Sequence, residues 1–192
     1  MDESLFIADL KKGKTNAFEQ LVMQWQDMVY HTALGIVQDV EDAEEITQDV
    51  FLQVYQKLPE FKEDSKLSTW IYRITVNMSI DFERKKQRIK RGGFLKKVFG
   101  TDAEEQAVHF YHPGVQLDKK EEAALLFAAI KKLPAKQKTA FVLQKLDAQS
   151  NKEIAAIMQI STTAVEALLK RAKQNLQNEL KVHYEKEYVN GK

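Results

Sequence analysis

Trp70, Arg73, Asn77, Asp81, Arg84 and Arg88 would share a strip about 80° wide if the segment after Ser68 is helical, at about 100° per residue. An aromatic ring, an amide and several guanidinium groups are what splayed single-stranded bases require. The ring is a stacking platform, the arginines neutralise phosphate, and the amide hydrogen-bonds a base edge. Asp81 does not suit phosphate and is expected to hold one of the arginines. The plain alternative for Trp70 is a core aromatic near a helix start. From Arg84 to Lys97 there are eight Lys/Arg and no Asp/Glu, a run that could track a phosphate backbone.

Residues 150–172, SNKEIAAIMQISTTAVEALLKRA, form a second constellation. Ser150 with Glu153 has the spacing of a capping box, so a helix starts at Asn151, with Ile154, Ala155, Ile157 and Met158 facing inward. Gln159-Ile160-Ser161 makes a turn, and Ser161 caps a second helix from Thr162. Val165, Leu168, Leu169, Ala172 and Leu176 make one stripe of that helix. Thr163, Ala167, Lys170 and Gln174 lie opposite, edged by Glu166 and Arg171. A packed first helix and a second with a free polar face is the helix-turn-helix arrangement that reads a major groove. An ordinary helical hairpin is the simpler reading.

Catalytic and metal chemistry find little support. The chain has no Cys, which removes disulfides, thiolate metal sites and a cysteine nucleophile. His109 and His112 have metal-like spacing but no carboxylate motif nearby, and read as solvent-exposed. The acidic run from Asp39 lacks the mid-loop Gly of a calcium loop. Neither a di-iron Glu/His pattern nor a phosphate-cradling Gly loop occurs. No catalytic residue, cofactor or metal is expected. The N-terminus lacks a basic region followed by an apolar core, and no apolar run approaches a membrane span, so a soluble cytoplasmic protein without membrane insertion is expected.

The elements that must position these residues are helices. In 192 residues there are only seven Gly and three Pro, and 44% of residues are hydrophobic, which favours an all-α globular fold. Asn16 with Glu19 predicts the cap of a helix carrying Phe18, Leu21, Val22, Trp25, Val29, Ala33 and Ile36. Asp42 predicts the cap of the next, which buries Ala43, Ile46, Val50, Phe51, Val54 and Leu58 before Pro59. Ser68 caps a third, running to about Arg91. Residues 92–118 hold four glycines and Pro113 and read as a linker. Helicity resumes near Lys119, and Pro134 opens a further helix before the hairpin. Two helical domains at 1–91 and 119–185, joined by that linker and followed by a tail at 186–192, are expected. The net charge of +1 hides segregation, because Asp39 to Asp49 holds six Asp/Glu and no Lys/Arg. Separated charge suits two unlike partners.

The order DAEEITQDVFLQVYQKL, then FKEDSKLSTWIYRITVNMSIDFERKK, a linker, LPAKQKTAFVLQKL and the terminal hairpin resembles a bacterial extracytoplasmic-function sigma factor over nearly the whole chain. The resemblance implies a region 2 bundle and a region 4 helix-turn-helix, with core RNA polymerase and promoter DNA as partners. The first domain would bind the clamp helices of the largest polymerase subunit through Asp42, Glu45, Ile46, Asp49, Val50 and Gln53. Lys62, Lys66, Ser68, Thr69, Trp70, Arg73, Asn77, Arg84, Lys85 and Lys86 would engage the −10 element and capture an unpaired base. The second domain would read the −35 element through Ser161, Thr162, Thr163, Glu166, Ala167, Lys170, Arg171 and Gln174. It would also touch the flap of the second-largest subunit. An anti-sigma factor is a further implied partner, and a monomer is expected.

Some residues depart from the family pattern. Gln159 stands where many members have Gly in the turn, and Glu166 where many carry Lys or Arg. A carboxylate there repels phosphate but can accept from a cytosine amino group. Asp147-Ala148-Gln149 replaces the commoner acidic-Gly-hydrophobic lead-in. The nearest alternative is a stand-alone helix-turn-helix regulator, which needs a dimer surface and a sensing domain that the acidic helix and the arginine lane do not make.

Overall fold

Helix-forming residues dominate, and the computed structural model, which describes residues 3–92 and 120–190, is helical wherever it is not turning. α1 is Glu3–Lys11, α2 Thr15–Val37, α3 Val40–Lys57, and a 3₁₀ turn follows at Leu58–Glu60. α4 is Leu67–Gly92, α5 Lys120–Lys131, α6 Ala135–Lys145, α7 Asn151–Met158 and α8 Thr162–Asn190. No strand occurs among the described residues. The linker at 92–118, with His109 and His112, lies outside them apart from Gly92, which ends α4.

Caps explain several boundaries and correct others. α7 has the expected reciprocal box: Ser150 Oγ accepts from Glu153 N, and the Glu153 carboxylate accepts from Ser150 N at 2.8 Å. Ser161 Oγ accepts from Ala164 N at 3.1 Å at the start of α8. α3 is capped by Asp39, not Asp42: Asp39 is extended, and its carboxylate accepts from Asp42 N at 3.1 Å. α2 has no side-chain cap; Lys14 occupies the position expected of Asn16, because Thr15 is already helical. α4 starts at Leu67, one residue before the expected Ser68 cap. α1 escaped the sequence reading, although Phe6, Ile7 and Leu10 bury one side of it. α8 continues past 185 into the expected tail.

α1 to α4 enclose a core of Leu21, Ile36, Ile46, Val50, Val54, Leu67 and Ile71, all essentially without solvent contact. A smaller cluster joins α5 to α8 through Phe127, Ile130, Leu133, Ala172 and Leu176. Ala140, Val142, Leu143, Ile154, Ile157, Val165 and Leu169 belong to the first core, not the second. The C-terminal helices are therefore docked on the N-terminal bundle.

Small and polar residues make that docking possible. A Cβ added at Gly35 would lie 2.7 Å from Val142 Cγ1, so the bare glycine lets α6 approach α2. Lys138, 2% exposed, donates to Glu83 Oε1 of α4 at 2.7 Å and to the Ile36 carbonyl at 3.2 Å. Thr32 Oγ1 donates to Asp147 Oδ2 at 2.8 Å, and Gln149 Nε2 to the Tyr72 hydroxyl at 3.2 Å. None of these pairings follows helical periodicity.

Candidate nucleic-acid interface

The strip on α4 opens into a cleft of about 300 Å³ lined by Lys57, Glu60, Phe61, Lys62, Asp64, Trp70, Arg73, Ile74, Asn77 and Gln159. α4 supplies the wall because Ile71, Thr75, Val76 and Ser79 are buried along the rest of its circumference. The Trp70 ring is half-buried and tilted 39° against Phe61, with centroids 5.0 Å apart. It thus both packs against Phe61 and lines the cleft. Asn77 is exposed at the cleft wall, and Lys62 stands exposed at its rim. Ser68 and Thr69 are half-buried on the first turn, and Lys66 is exposed just before it.

Three members of the strip are already engaged. Asp81 accepts from Arg84 Nη1 at 3.2 Å, the restraint anticipated for this carboxylate. Arg73 Nε donates to the Ala156 carbonyl of α7 at 2.9 Å. Lys86 is turned away from the cleft to an ion pair with Asp42, with Asp39 at 3.5 Å. Burial opposes the Lys86 charge, but Asp42 and Asp39 outweigh it and raise its pKa. Asp39 is lowered although burial alone would raise it, because Asp42 N and Lys86 hold the charged form. Asp42 and Lys86, expected to meet polymerase and DNA respectively, thus meet each other; Arg84 and Lys85 remain exposed.

The sequence reading missed Phe61, the carboxylates of Glu60 and Asp64, and Gln159 at the cleft. Pro59-Glu60-Phe61 had a usable cue, an aromatic isolated in a charged connector, but Gln159 reaches the cleft only through the docking of α7.

On α3, Glu45 and Asp49 are exposed and Gln53 half-exposed. Ile46 and Val50 are corrected: at 2% and 0% exposure they hold α3 to the bundle and present nothing to a partner. Leu52 and Tyr55 are exposed large apolar residues beside the acidic edge.

On α8 the expected division holds. Val165, Leu169, Ala172 and Leu176 are buried, whereas Ser161, Thr162, Thr163, Glu166, Ala167, Lys170, Arg171 and Gln174 are all exposed. Gln159 ends α7 with φ 54°, the left-handed conformation that glycine adopts at least cost.

A helix-turn-helix with an open face, set beside an aromatic and arginine cleft and an acidic helix, fits the class of helical DNA-binding proteins. Residues 21–89 match Sigma-70 region 2, and residues 123–176 match Sigma-70, region 4. The ECF RNA polymerase sigma factor SigW of Bacillus subtilis is 31% identical over 180 residues, covering 91% of this chain and 95% of the relative. The ECF RNA polymerase sigma-E factor of Escherichia coli K12 is 26% identical, covering 94% and 95%. Among solved structures, the sigma factor RpoE of Bartonella quintana, in complex with the anti-sigma factor NepR, matches with TM-score 0.62. It is 25% identical over 86% of this chain and 97% of that one. CnrH, solved with the cytosolic domain of CnrY, has the same fold at TM-score 0.67 and 23% identity, covering 94% and 97%. The chain belongs to the ECF family of RNA polymerase sigma factors.

Proposed function

We propose that this sigma factor directs promoter choice through three surfaces of its own. The exposed face of α8, from Ser161 to Gln174, reads the −35 element in the major groove, with Lys170 and Arg171 on phosphate and Glu166 on a base edge. The cleft of Trp70, Asn77 and Lys62, with Lys66, Ser68 and Thr69 beside it, takes an unpaired −10 base. Glu45, Asp49 and Gln53, with the adjoining Leu52, meet the clamp helices of the largest polymerase subunit. The C-terminal helices also reach the flap of the second-largest subunit. Residues 1–91 and 119–185 act as the two working units, and 92–118 connects them.

The observation that carries this reading is the pairing of a free recognition face on α8 with an aromatic cleft on α4. A stand-alone regulator has no use for the cleft. The protein acts by binding, with no catalytic step, and works as a cytoplasmic monomer. An anti-sigma factor is its proposed negative partner, by analogy with the RpoE–NepR complex.

Run-off transcription from a genomic library with purified core enzyme tests the whole reading. Defined transcripts that require both the chain and the core enzyme are expected. Failure to join the core, or joining without new start sites, overturns it. Binding to a two-fold site without polymerase would instead support the regulator.

A further inference from the structure

Asp147 follows α6 at the seam between the two sets of helices, half-buried, with Oδ2 accepting from the fully buried Thr32 of α2. The other titratable groups facing this corner are the Tyr72 phenol of α4 and, from α7, Glu153. The charges of both Asp147 and Glu153 work with burial to raise Tyr72. His31, the residue before Thr32, lays its ring edge-on against Tyr30. The same docking sets the Ala156 carbonyl on Arg73 and brings Gln159 to the cleft beside Trp70 and Asn77. The C-terminal helices thus touch one edge of the cleft, and an acid sits on the joint that holds them there.

We propose that Asp147 is a proton-operated latch: protonated, it holds α6–α8 against α2 and α4 at the edge of the cleft, and charged, it favours their release. A neutral carboxyl keeps an oxygen for the Thr32 hydroxyl and places no charge in the seam, whereas a carboxylate must be desolvated there. Burial pushes Asp147 up to about 7, against the opposing hydrogen bond from Thr32. Once the seam opens, the group returns to the ordinary carboxylate value of about 3.9.

The closed state therefore binds the proton more tightly. Closure is strongest below the open-state value, weakens about tenfold per pH unit above it, and levels off once pH passes about 7. Between pH 6 and pH 8 the closed-to-open ratio should fall by about tenfold in all. The consequence for DNA rests on the reading of the α4 cleft given under Proposed function; the latch itself does not.

The full chain has no cysteine, so a single thiol reports opening. Val142→Cys places it at the seam against Gly35, and Val50→Cys places a control inside the N-terminal bundle. Labelling rates are corrected for thiolate content with the exposed thiol of Lys173→Cys. The corrected rate at position 142 should rise about tenfold from pH 6 to pH 8. Position 50 should not follow, and adding Asp147→Asn, a neutral isostere, should abolish the rise. Thr32→Val, which removes the opposing hydrogen bond, should carry the rise to higher pH. A flat profile in the parent, the same rise with Asp147→Asn, parallel labelling at position 50, or a Thr32→Val profile identical to the parent's would each overturn the latch. Labelling needs neither DNA nor polymerase, so failure of the promoter reading would show separately, in run-off transcription.

Discussion

Lys138 shows what a single side chain decides. An ammonium group that loses its water must recover the loss from partners, and it finds the Glu83 carboxylate and the Ile36 carbonyl. Lys138→Ala leaves Glu83 without its partner in a partly buried site, so a loss of about 3–5 kcal/mol is expected, read as a lower midpoint in urea unfolding. The pair of Lys132 and Glu179, open to solvent, provides the contrast. Lys132→Ala should change stability by about 1 kcal/mol or less. Gly35 acts at the same scale by offering no atom. In Gly35→Ala the new methyl meets Val142, a clash worth about 1–3 kcal/mol, against about 1 kcal/mol gained in helix propensity. The expected outcome is a looser seam, seen as faster hydrogen exchange in α6 with the centre of α3 unchanged. Neither residue had a role in the sequence reading, since a buried lysine and a mid-helix glycine become meaningful only beside their partners.

Helices carry the next level. The capping box of α7 was legible because both partners lie within four residues, and the stripe of α8 because period 3.6 persists through Leu176. Asn16 with Glu19 has the same spacing as Ser150 with Glu153, yet α2 is already under way at Thr15. Spacing alone does not say which polar residue precedes the first helical turn. The outward residues of α8 lead to a test at this scale. Lys170→Ala and Arg171→Ala should each flatten the salt dependence of promoter binding by about one ion in the holoenzyme. An unchanged slope in both would remove this face of α8 from the DNA. The acidic edge of α3 yields another. Glu45→Lys with Asp49→Lys reverses exposed charge without touching Ile46 or Val50, so the helix should persist by circular dichroism while co-purification with core polymerase is lost. Retained co-purification would reject that edge as the docking surface.

The whole molecule is where sequence and structure part. Composition, stripes and caps fixed an all-α chain, its main helix faces, the free surface of α8 and the strip on α4, because each depends on residues within a few turns of one another. The match to Sigma-70 regions 2 and 4 agrees with that local pattern. Tertiary structure alone decided that α6 and α7 close on α2 and α4, so that Val142, Ile154 and Val165 share a core with Leu21 and Ile71. It also decided that Lys86 turns to Asp42 and that Gln159 reaches the Trp70 cleft. The physical reason is range. Periodicity reports which face of a helix avoids water, whereas the partner that covers it is chosen by contacts such as Thr32 with Asp147, 115 residues apart, which leave no repeat in the chain.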